Sequence, residues 1–243
     1  MESHMSFEGQ RILVMGGSSG IGAATARRFA HRHATVTVTG RDPERLHAIE
    51  SSTGARAVAV DATDKAALAG FFGEDTTYDH LVLALSEAAG AGPISTMDLD
   101  EIAAGFAGKF WPQLRTLQAA LPRLAASGSV TFITAVSARI AMPGTAGLAA
   151  INGALESMIP PLAAELAPLR INAVSPGVID TPWWSSMPED ARAEMFQRYG
   201  RALPAGRVGT ADEVAQAVEF LAGNGYMTGS VIECAGGAQL ASL

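Results

Sequence analysis

Short apolar runs alternate along the chain with longer segments in which apolar residues recur at helical spacing. The first run ends at Met15, where a cluster of glycine and serine follows, and a helical pattern begins directly after it. Runs of the same kind, apolar or β-branched, predict strands at 35–39, 57–60 and 81–85. Helices are predicted between them at 43–49 and 66–72. Strands that are apolar on both faces are typical of a parallel sheet covered by helices on both sides.

The second half of the chain continues this alternation with longer helices. Helical periodicity predicts helices over 98–124 and 145–166, and a capping box at Thr210 and Glu213 opens another that extends to 221. Further strands are predicted at 130–134, 171–174 and 230–233. About seven strands alternating with helices predict a single doubly wound, Rossmann-type α/β domain over 5–243, and residues 1–4 look like a cloning remnant.

Composition and charge argue against several classes of protein and several kinds of site. The net charge of −7 argues against a general nucleic-acid binder and against binding to an anionic membrane. No apolar run is long enough for a membrane span, and no signal peptide is evident, so we expect a cytoplasmic protein. The single cysteine, Cys234, excludes an internal disulfide. All five histidines lie at or before His80, which argues against a histidine-rich metal site, and we expect no metal.

The glycine-rich turn after the first predicted strand is the strongest chemical signal. It contains Gly16, Ser18, Ser19, Gly20, Ile21 and Gly22. Glycine lets the backbone turn sharply and approach a pyrophosphate, and the N-terminus of the following helix presents unpaired N–H groups to the anion. We therefore predict a dinucleotide site, although a plain turn has the same composition.

Residues at the ends of the second and third strands predict which dinucleotide binds. Arg41 stands where an acidic residue would select NAD, and its guanidinium favours the 2′-phosphate of NADP(H). The alternative is that Arg41 is a solvated loop residue. Asp61, followed by Ala62, is placed to contact the adenine edge, and its alternative role is to begin the next helix.

These motifs resemble the short-chain dehydrogenase/reductase family along essentially the whole chain. The glycine turn is similar to the family's TGxxxGxG with Met15 in place of Thr. The further matching segments are Asp61–Asp64, Asn172–Gly177 with Thr181, 203–209, and Thr228 with Gly229. The resemblance implies that Ala84 lines the adenosine side of the site. It also implies that Pro176, Gly177, Ile179 and Thr181 contact the nicotinamide half.

The family's four catalytic positions carry other residues in this chain. By resemblance, Leu148 stands at the tyrosine position and Asn152 at the lysine position four residues later. Ala135 stands at the serine position, and Lys109 stands at the asparagine position. The chain contains only two lysines and no Tyr-x-x-x-Lys sequence, so no shift of the alignment restores the pair. The resemblance therefore implies an atypical active site.

At two of these positions the residue types are exchanged relative to the family: Lys109 stands at the asparagine position, and Asn152 stands at the lysine position. We predict that Lys109 points into the pocket as its cation, polarising a carbonyl or stabilising an enolate, and that Asn152 contacts the ribose. The alternative is that Lys109 extends to solvent at a helix kink made by Pro112. Glu87, after the fourth strand, is a candidate acid, with a solvated loop carboxylate as its alternative.

The segment at about 181–205 is where the family carries its substrate lid. Trp183, Trp184 and Met187 in it predict an apolar or aromatic ligand, although they could instead pack on one another. We expect a homodimer or homotetramer formed through the long helices. Pro160 and Pro161 are predicted to interrupt one of those helices.

The expected function is an NADP(H)-dependent oxidoreductase acting on a small apolar or aromatic carbonyl or alcohol. Two alternatives stay open. One is an enzyme of the same fold with a non-redox reaction, such as an isomerase, cyclase or lyase. The other is an NADP(H)-binding protein without catalysis. Fold alone does not separate these three.

Overall fold

A seven-stranded parallel sheet forms the centre of the computed structural model, which describes residues 6–241. Its strands are β1 (Arg11–Met15), β2 (Thr35–Gly40), β3 (Arg56–Ala59), β4 (Tyr78–Leu83), β5 (Leu124–Ile133), β6 (Arg170–Pro176) and, last in the chain, β9 (Val231–Cys234). They stand in the order β3-β2-β1-β4-β5-β6-β9. Two short strands, β7 (Ile179–Asp180) and β8 (Gly209–Thr210), pair separately. The seven-stranded, doubly wound fold is confirmed, and residues 1–4, interpreted as a cloning remnant, lie outside the described residues.

Residues 6–241 form eight α-helices around this sheet. They are α1 (Gly20–His31), α2 (Pro43–Thr53), α3 (Lys65–Gly73), α4 (Leu99–Gly105), α5 (Trp111–Ala120), α6 (Ala146–Glu165), α7 (Glu189–Ala202) and α8 (Ala211–Gly223). Helices α3, α5 and α6 contribute to the apolar core on one face, and α1, α2 and α8 to the core on the other. The predicted capping box at Thr210 and Glu213 begins α8.

The first strand shows why its sequence is continuously apolar. Leu13 and Met15 belong to the core on one face of the sheet, whereas Ile12 and Val14 belong to the core on the other. All four side chains are fully buried. Because successive residues of a strand point to opposite faces, a strand covered on both sides needs an apolar residue at every position.

The prediction of one long helix over 98–124 is wrong in two respects. The segment is not one continuous α-helix, and it ends before residue 124. A five-residue π-helix, Phe106–Phe110, separates α4 from α5, and Trp111 donates its backbone N–H to Phe106 O, five residues back. Pro112 follows directly at the start of α5 and has no N–H to give. The chain turns into β5 already at Leu124, so this strand begins before the predicted residue 130.

The predicted interruption at Pro160 and Pro161 is also wrong. Helix α6 runs continuously from Ala146 to Glu165 with both prolines inside it. Leu155, Ile159 and Ala163 lie on its buried side and pack in the core beneath the sheet. Burial of that face offsets the backbone hydrogen bonds that the prolines cannot make.

Between residues 6 and 241, no helix combines the length and the apolar character that crossing a membrane requires. Within the same range, no group of three or more His, Cys, Asp or Glu side chains is arranged to hold a metal ion.

Candidate active site

A cleft of about 590 Å³ opens at the carboxyl edge of the sheet, where β1 and β4 lie side by side but their connections run to opposite faces. In open α/β sheets, ligands bind at this kind of reversal in strand order. Every cofactor and catalytic residue that the sequence predicted lines this one cleft, as do Trp183 and Trp184, whereas Met187 does not. The fold therefore brings the predicted cofactor and catalytic positions together, while their roles remain predictions.

The glycine turn forms the floor of one end of the cleft. A Cβ at Gly22 would lie 2.1 Å from the carbonyl oxygen of Gly16, and a Cβ at Gly16 would lie 2.7 Å from that of Ala84. Ser19 caps α1 with extended backbone and without a side-chain hydrogen bond to the first turn. The N–H groups of that turn are thus left for an anion, in a backbone that only glycine allows to pack this closely.

Positive charge lies beside the glycine turn. Arg41 is exposed at the end of β2, and Arg45, one helical turn further along, also lines the cleft and pairs with Asp42 at 3.1 Å. The sequence analysis missed Arg45, which lies in the first turn of α2, just after the loop that carries Arg41. Two guanidinium groups at this edge can bind a phosphate in addition to one bound at the glycine turn, residues 16–22, which we call the glycine cradle.

Asp61 lies on the other side of this edge and is held by the loop that follows it. Its Oδ1 accepts hydrogen bonds from the backbone N–H and the hydroxyl of Thr63, at 2.9 and 2.8 Å. These bonds and the nearby Arg41 hold the pKa of Asp61 below its usual value. The side chain that caps α3 is Asp64, which accepts from the N–H of Ala66. Asp61 is therefore not the N-cap of that helix.

The Lys109 side chain lies inside the wall of the cleft. It is 8% exposed, and its Nζ donates a hydrogen bond of 3.1 Å to the backbone oxygen of Thr134. Burial lowers the pKa of Lys109 to about 8, with the negative charge of Glu156 acting in the opposite direction. Lys109 lies within the π-helix, an element that often occurs at functional sites. The structure does not place this ammonium in solvent at a kink.

Asn152 lies in the cleft wall one turn along α6 from Leu148. Its Nδ2 donates to the carbonyl of Leu148 at 2.9 Å and to the hydroxyl of Ser137 at 3.2 Å. Its Oδ1 is buried and has no hydrogen-bond partner among residues 6–241. A buried acceptor without a donor carries a desolvation cost of about 1–3 kcal/mol, which a hydroxyl of a bound molecule would relieve.

Glu87 lies at the mouth of the cleft, beyond the end of β4. It is partly exposed, and its Oε1 accepts from the backbone N–H of Ala88 at 3.1 Å. Its side chain packs against Gly108, where a Cβ would approach within 2.6 Å. The structure thus places Glu87 beside the π-helix that carries Lys109.

Behind the cleft wall lies a buried carboxylate that the sequence analysis missed. Glu156 on α6 is 8% exposed. It accepts hydrogen bonds from the hydroxyls of Thr134 and Ser175, at 2.8 and 2.7 Å, and from Nε of Arg139 at 2.7 Å. A glutamate among apolar residues, four positions after Asn152 on the same helix, was the available signal.

Another part of the cleft lining is mostly apolar. Leu148 lies there together with Met142, whose sulfur accepts a hydrogen bond from the Tyr199 hydroxyl at 3.1 Å. Trp183 and Trp184 stack edge to face at 4.4 Å, and Trp184 donates to the Ile179 oxygen at 2.9 Å. Trp184 also packs on Phe196 of α7, so the segment predicted to be the lid both packs on itself and faces the cleft.

Comparisons with known proteins agree with this geometry. The family model described as enoyl-(acyl carrier protein) reductase matches residues 16–239. Cis-4-hydroxycyclohexanecarboxylate dehydrogenase of Sinomonas cyclohexanicum is 28% identical over 96% of this chain and 97% of its own. The 3-oxoacyl-(acyl-carrier-protein) reductase FabG of Escherichia coli is 30% identical over 96% of this chain and 98% of its own.

The fold is also similar to that of a solved structure. A small-chain dehydrogenase in complex with NADPH superposes with a TM-score of 0.84 and 32% identity, covering 95% of this chain and 99% of that one. The chain belongs to the short-chain dehydrogenase/reductase family, whose members are oxidoreductases.

Proposed function

We propose that this protein is an NADP(H)-dependent oxidoreductase with an atypical active site, acting on a small apolar or aromatic carbonyl or alcohol. The observation that carries the proposal is one continuous cleft. The glycine cradle and Arg41 lie at one end of it, and Lys109 and Asn152 lie at the other. A structural neighbour in complex with NADPH supports the choice of cofactor.

The residues at the cradle end fit an NADP(H) molecule. The free N–H groups at the start of α1 would hold the pyrophosphate, and Arg41 with Arg45 would hold the 2′-phosphate. Asp61 and Ala62 would face the adenine, with Ala84 beside the adenosine. Further along the cleft, Pro176, Gly177, Ile179 and Thr181 would contact the nicotinamide half. When bound, NADP(H) supplies the hydride chemistry that interconverts a carbonyl and an alcohol.

Lys109 is the group that would act on the substrate oxygen. An ammonium has three hydrogens, and Thr134 O accepts one of them, which leaves two for a carbonyl oxygen in the cleft. As negative charge develops on that oxygen, Lys109 would stabilise it and then transfer a proton to it. A pKa of about 8 suits this role, because the group is mostly charged at neutral pH yet releases its proton readily.

Asn152 and Glu87 would complete the polar part of the site. The unpartnered Oδ1 of Asn152 is an acceptor for a ribose hydroxyl. Glu87, at the mouth, would be a further candidate acid. Because position 148 carries leucine and not tyrosine, Lys109 is the group in this cleft that would donate the proton.

The apolar wall supports the substrate class. Leu148 replaces a polar group with a hydrocarbon, Met142 extends this surface, and Trp183 and Tyr199 of the predicted lid continue it. Such a wall gains binding energy from an aliphatic or aromatic body, whereas Lys109 requires an oxygen at the other end of the ligand.

A second candidate reaction follows from the same amine. An ammonium that stabilises an enolate would also serve an isomerase, cyclase or lyase, with no change in the redox state of the cofactor. The replacement of tyrosine by Leu148 favours this candidate, because one proton-transfer group of the family is missing. Binding of NADP(H) without catalysis is the third possibility.

We also propose that the protein is a cytoplasmic homodimer or homotetramer. Ile94, Leu99 and Trp111 are large apolar side chains at or near α4 and α5, and they are 60%, 63% and 46% exposed. Exposed apolar residues on the long helices are suited to contact a second subunit. Light scattering after gel filtration would report the mass, and a monomer at micromolar concentration would contradict the proposed assembly.

The deciding experiment measures binding and turnover separately. Calorimetric dissociation constants for NADPH and NADH test the cofactor, and we expect NADPH to bind more tightly. Oxidation of NADPH is then followed with a panel of aliphatic and aromatic aldehydes and ketones. Product formation without oxidation of the cofactor would establish the non-redox alternative. Tight NADPH binding without any product across the panel would favour a binding protein.

A further inference from the structure

A chain of hydrogen bonds connects the cleft to the buried carboxylate behind it. Lys109 Nζ donates to the backbone oxygen of Thr134, and the hydroxyl of the same threonine donates to Oε1 of Glu156. Thr134 follows the last residue of β5, where the carboxyl edge of the sheet meets the cleft. One residue thus contacts the cation with its backbone and the anion with its side chain.

Glu156 itself is anchored from three elements. Ser175 of β6 and Thr134 each donate a hydroxyl to Oε1, and Arg139 donates Nε to Oε2. Arg139 also approaches Glu233 of β9 at 3.3 Å. Three donors, one of them charged, bind the two oxygens of this buried side chain and fix its position. Glu156 is therefore a fixed negative charge just behind the wall that holds Lys109.

We propose that Glu156 is the positioning residue of this site, whose anchored carboxylate keeps the Lys109 ammonium charged and held in the cleft wall. The catalytic use of that ammonium rests on the proposed function, but the coupling of the two charges does not. An isolated ammonium in this wall would lose most of its hydration, and a nearby anion compensates for that loss.

The other charged groups around this pair leave Glu156 as the anion that acts on Lys109. Arg139 is positive and faces Glu156, not the amine. Glu233 is reached through Arg139, and Glu87 packs on Gly108 at the mouth of the cleft. Glu156 is the nearby charge that raises the pKa of Lys109 against the effect of burial.

Because the chain has only two lysines, the effect of Glu156 on the protonation of Lys109 can be measured directly. Protein grown with 13C-labelled lysine gives side-chain signals from Lys65 and Lys109 alone, and the Cε resonance of each reports its protonation. Lys65 is exposed at the start of α3, so it serves as an internal control. The measurement uses the protein without cofactor or substrate and therefore does not depend on any activity.

We expect Glu156→Gln to lower the titration midpoint of the Lys109 signal by about one pH unit or more, because the removed charge favoured the ammonium. The Lys65 signal should titrate as in the wild type. Glu156→Asp keeps the charge and should leave the Lys109 midpoint closer to the wild-type value than Gln does. An unchanged Lys109 midpoint in folded Glu156→Gln protein would overturn the proposal.

A second variant covers the case in which Glu156→Gln does not fold. The combination Glu156→Met, Thr134→Val and Ser175→Ala replaces the carboxylate and its two hydroxyl donors with apolar groups, and it leaves the Thr134 backbone oxygen in place. The same fall in the Lys109 midpoint is expected, and an unchanged midpoint contradicts the proposal.

Activity then provides an independent comparison. If the proposed function holds, the alkaline limb of kcat/KM in Glu156→Gln should move to lower pH together with the Lys109 signal. If the signal moves but no activity exists in any protein, the coupling stands and the proposed function fails.

Discussion

Lys109 and Glu156 lie on opposite sides of a single residue, Thr134, whose backbone oxygen binds the ammonium and whose hydroxyl binds the carboxylate. The two charges come from elements that are far apart in sequence, the π-helix before α5 and the middle of α6. Their proximity depends on β5, which presents Thr134 between them. This arrangement gives the cleft a buried cation in the absence of the Tyr-x-x-x-Lys sequence.

Charge at position 109 should control the pH dependence of turnover. Because the ammonium is the active form and the pKa of Lys109 is about 8, kcat/KM should fall about tenfold for each pH unit above that value. Lys109→Met should lower kcat/KM about 10²- to 10⁴-fold at pH 7. Steady-state kinetics from pH 6 to 10 provide the measurement. Lys65→Met is the matched control, and an equal loss in both variants would remove Lys109 from the mechanism.

Burial of the Lys109 ammonium should lower the free energy of unfolding of the protein. Burial lowers the pKa of Lys109 from 10.5 to about 8, so the folded protein resists the charged form more than the unfolded chain does. The cost is fully present below pH 8 and disappears as pH rises toward 10.5. Lys109→Met should therefore raise the free energy of unfolding by about 3 kcal/mol at pH 7. Urea denaturation at pH 7 and pH 10 tests this, and a stability gain that does not shrink at pH 10 would argue against charge burial as its cause.

Arg41 should set the preference for the 2′-phosphate. Removing one charge-assisted contact costs about 1.5–3 kcal/mol, so Arg41→Ala should weaken NADPH binding about 10- to 100-fold. NADH lacks that phosphate, and its dissociation constant should stay within a factor of about two. Calorimetric titration of both cofactors provides the comparison. Arg27→Ala, on the exposed side of α1, is the control. Parallel losses for both cofactors would indicate a general electrostatic effect.

Any side chain introduced at position 22 should disrupt the glycine turn. A Cβ there would lie 2.1 Å from the Gly16 oxygen, so Gly22→Ala forces the cradle apart. We expect it to abolish NADPH binding and to lower stability by about 1–3 kcal/mol. Gly70→Ala is the matched control, because a Cβ at that helical position meets nothing within 4 Å. Thermal unfolding with and without NADPH measures both effects, and NADPH stabilisation retained in Gly22→Ala would contradict the role of the cradle.

His80 should make the fold sensitive to acid. It is buried between the Ser129 hydroxyl and Gln10 Oε1, at 2.8 and 2.9 Å, and burial lowers its pKa to about 4. The unfolded chain therefore takes up a proton that the folded chain refuses. Stability is fully present above pH 6.5 and is lost as pH falls toward 4, by up to about 1.4 kcal/mol per pH unit.

The variant His80→Gln separates this effect from general acid unfolding. It should be less stable than the wild type at pH 7.5, because its contacts are poorer, but it should lose less stability between pH 7 and 5. Melting temperatures at these values provide the measurement. Identical slopes in the two proteins would mean that other groups dominate in that range.

The sequence by itself determined the sheet and the cradle. Strands buried on both faces must be apolar at every position, and this signal is local, so the seven strands were found with errors mainly at their ends. The glycine turn and Arg41 were equally readable, because their chemistry depends on residues adjacent in the chain. The shared location of all predicted cofactor and catalytic residues followed from the fact that parallel strands end at one edge.

Only the tertiary structure decided the direction of Lys109 and the place of Glu156. The extra residue of a π-turn rotates the following side chains by about 100°, so a periodicity of 3.6 could not tell which way Lys109 faces. The continuity of α6 through Pro160 and Pro161 depended on packing beneath the sheet. Glu156 acquires its partners only because three other segments bring Thr134, Ser175 and Arg139 around it. Contacts between such distant residues depend on how the elements pack, and the local pattern of a sequence does not contain that information.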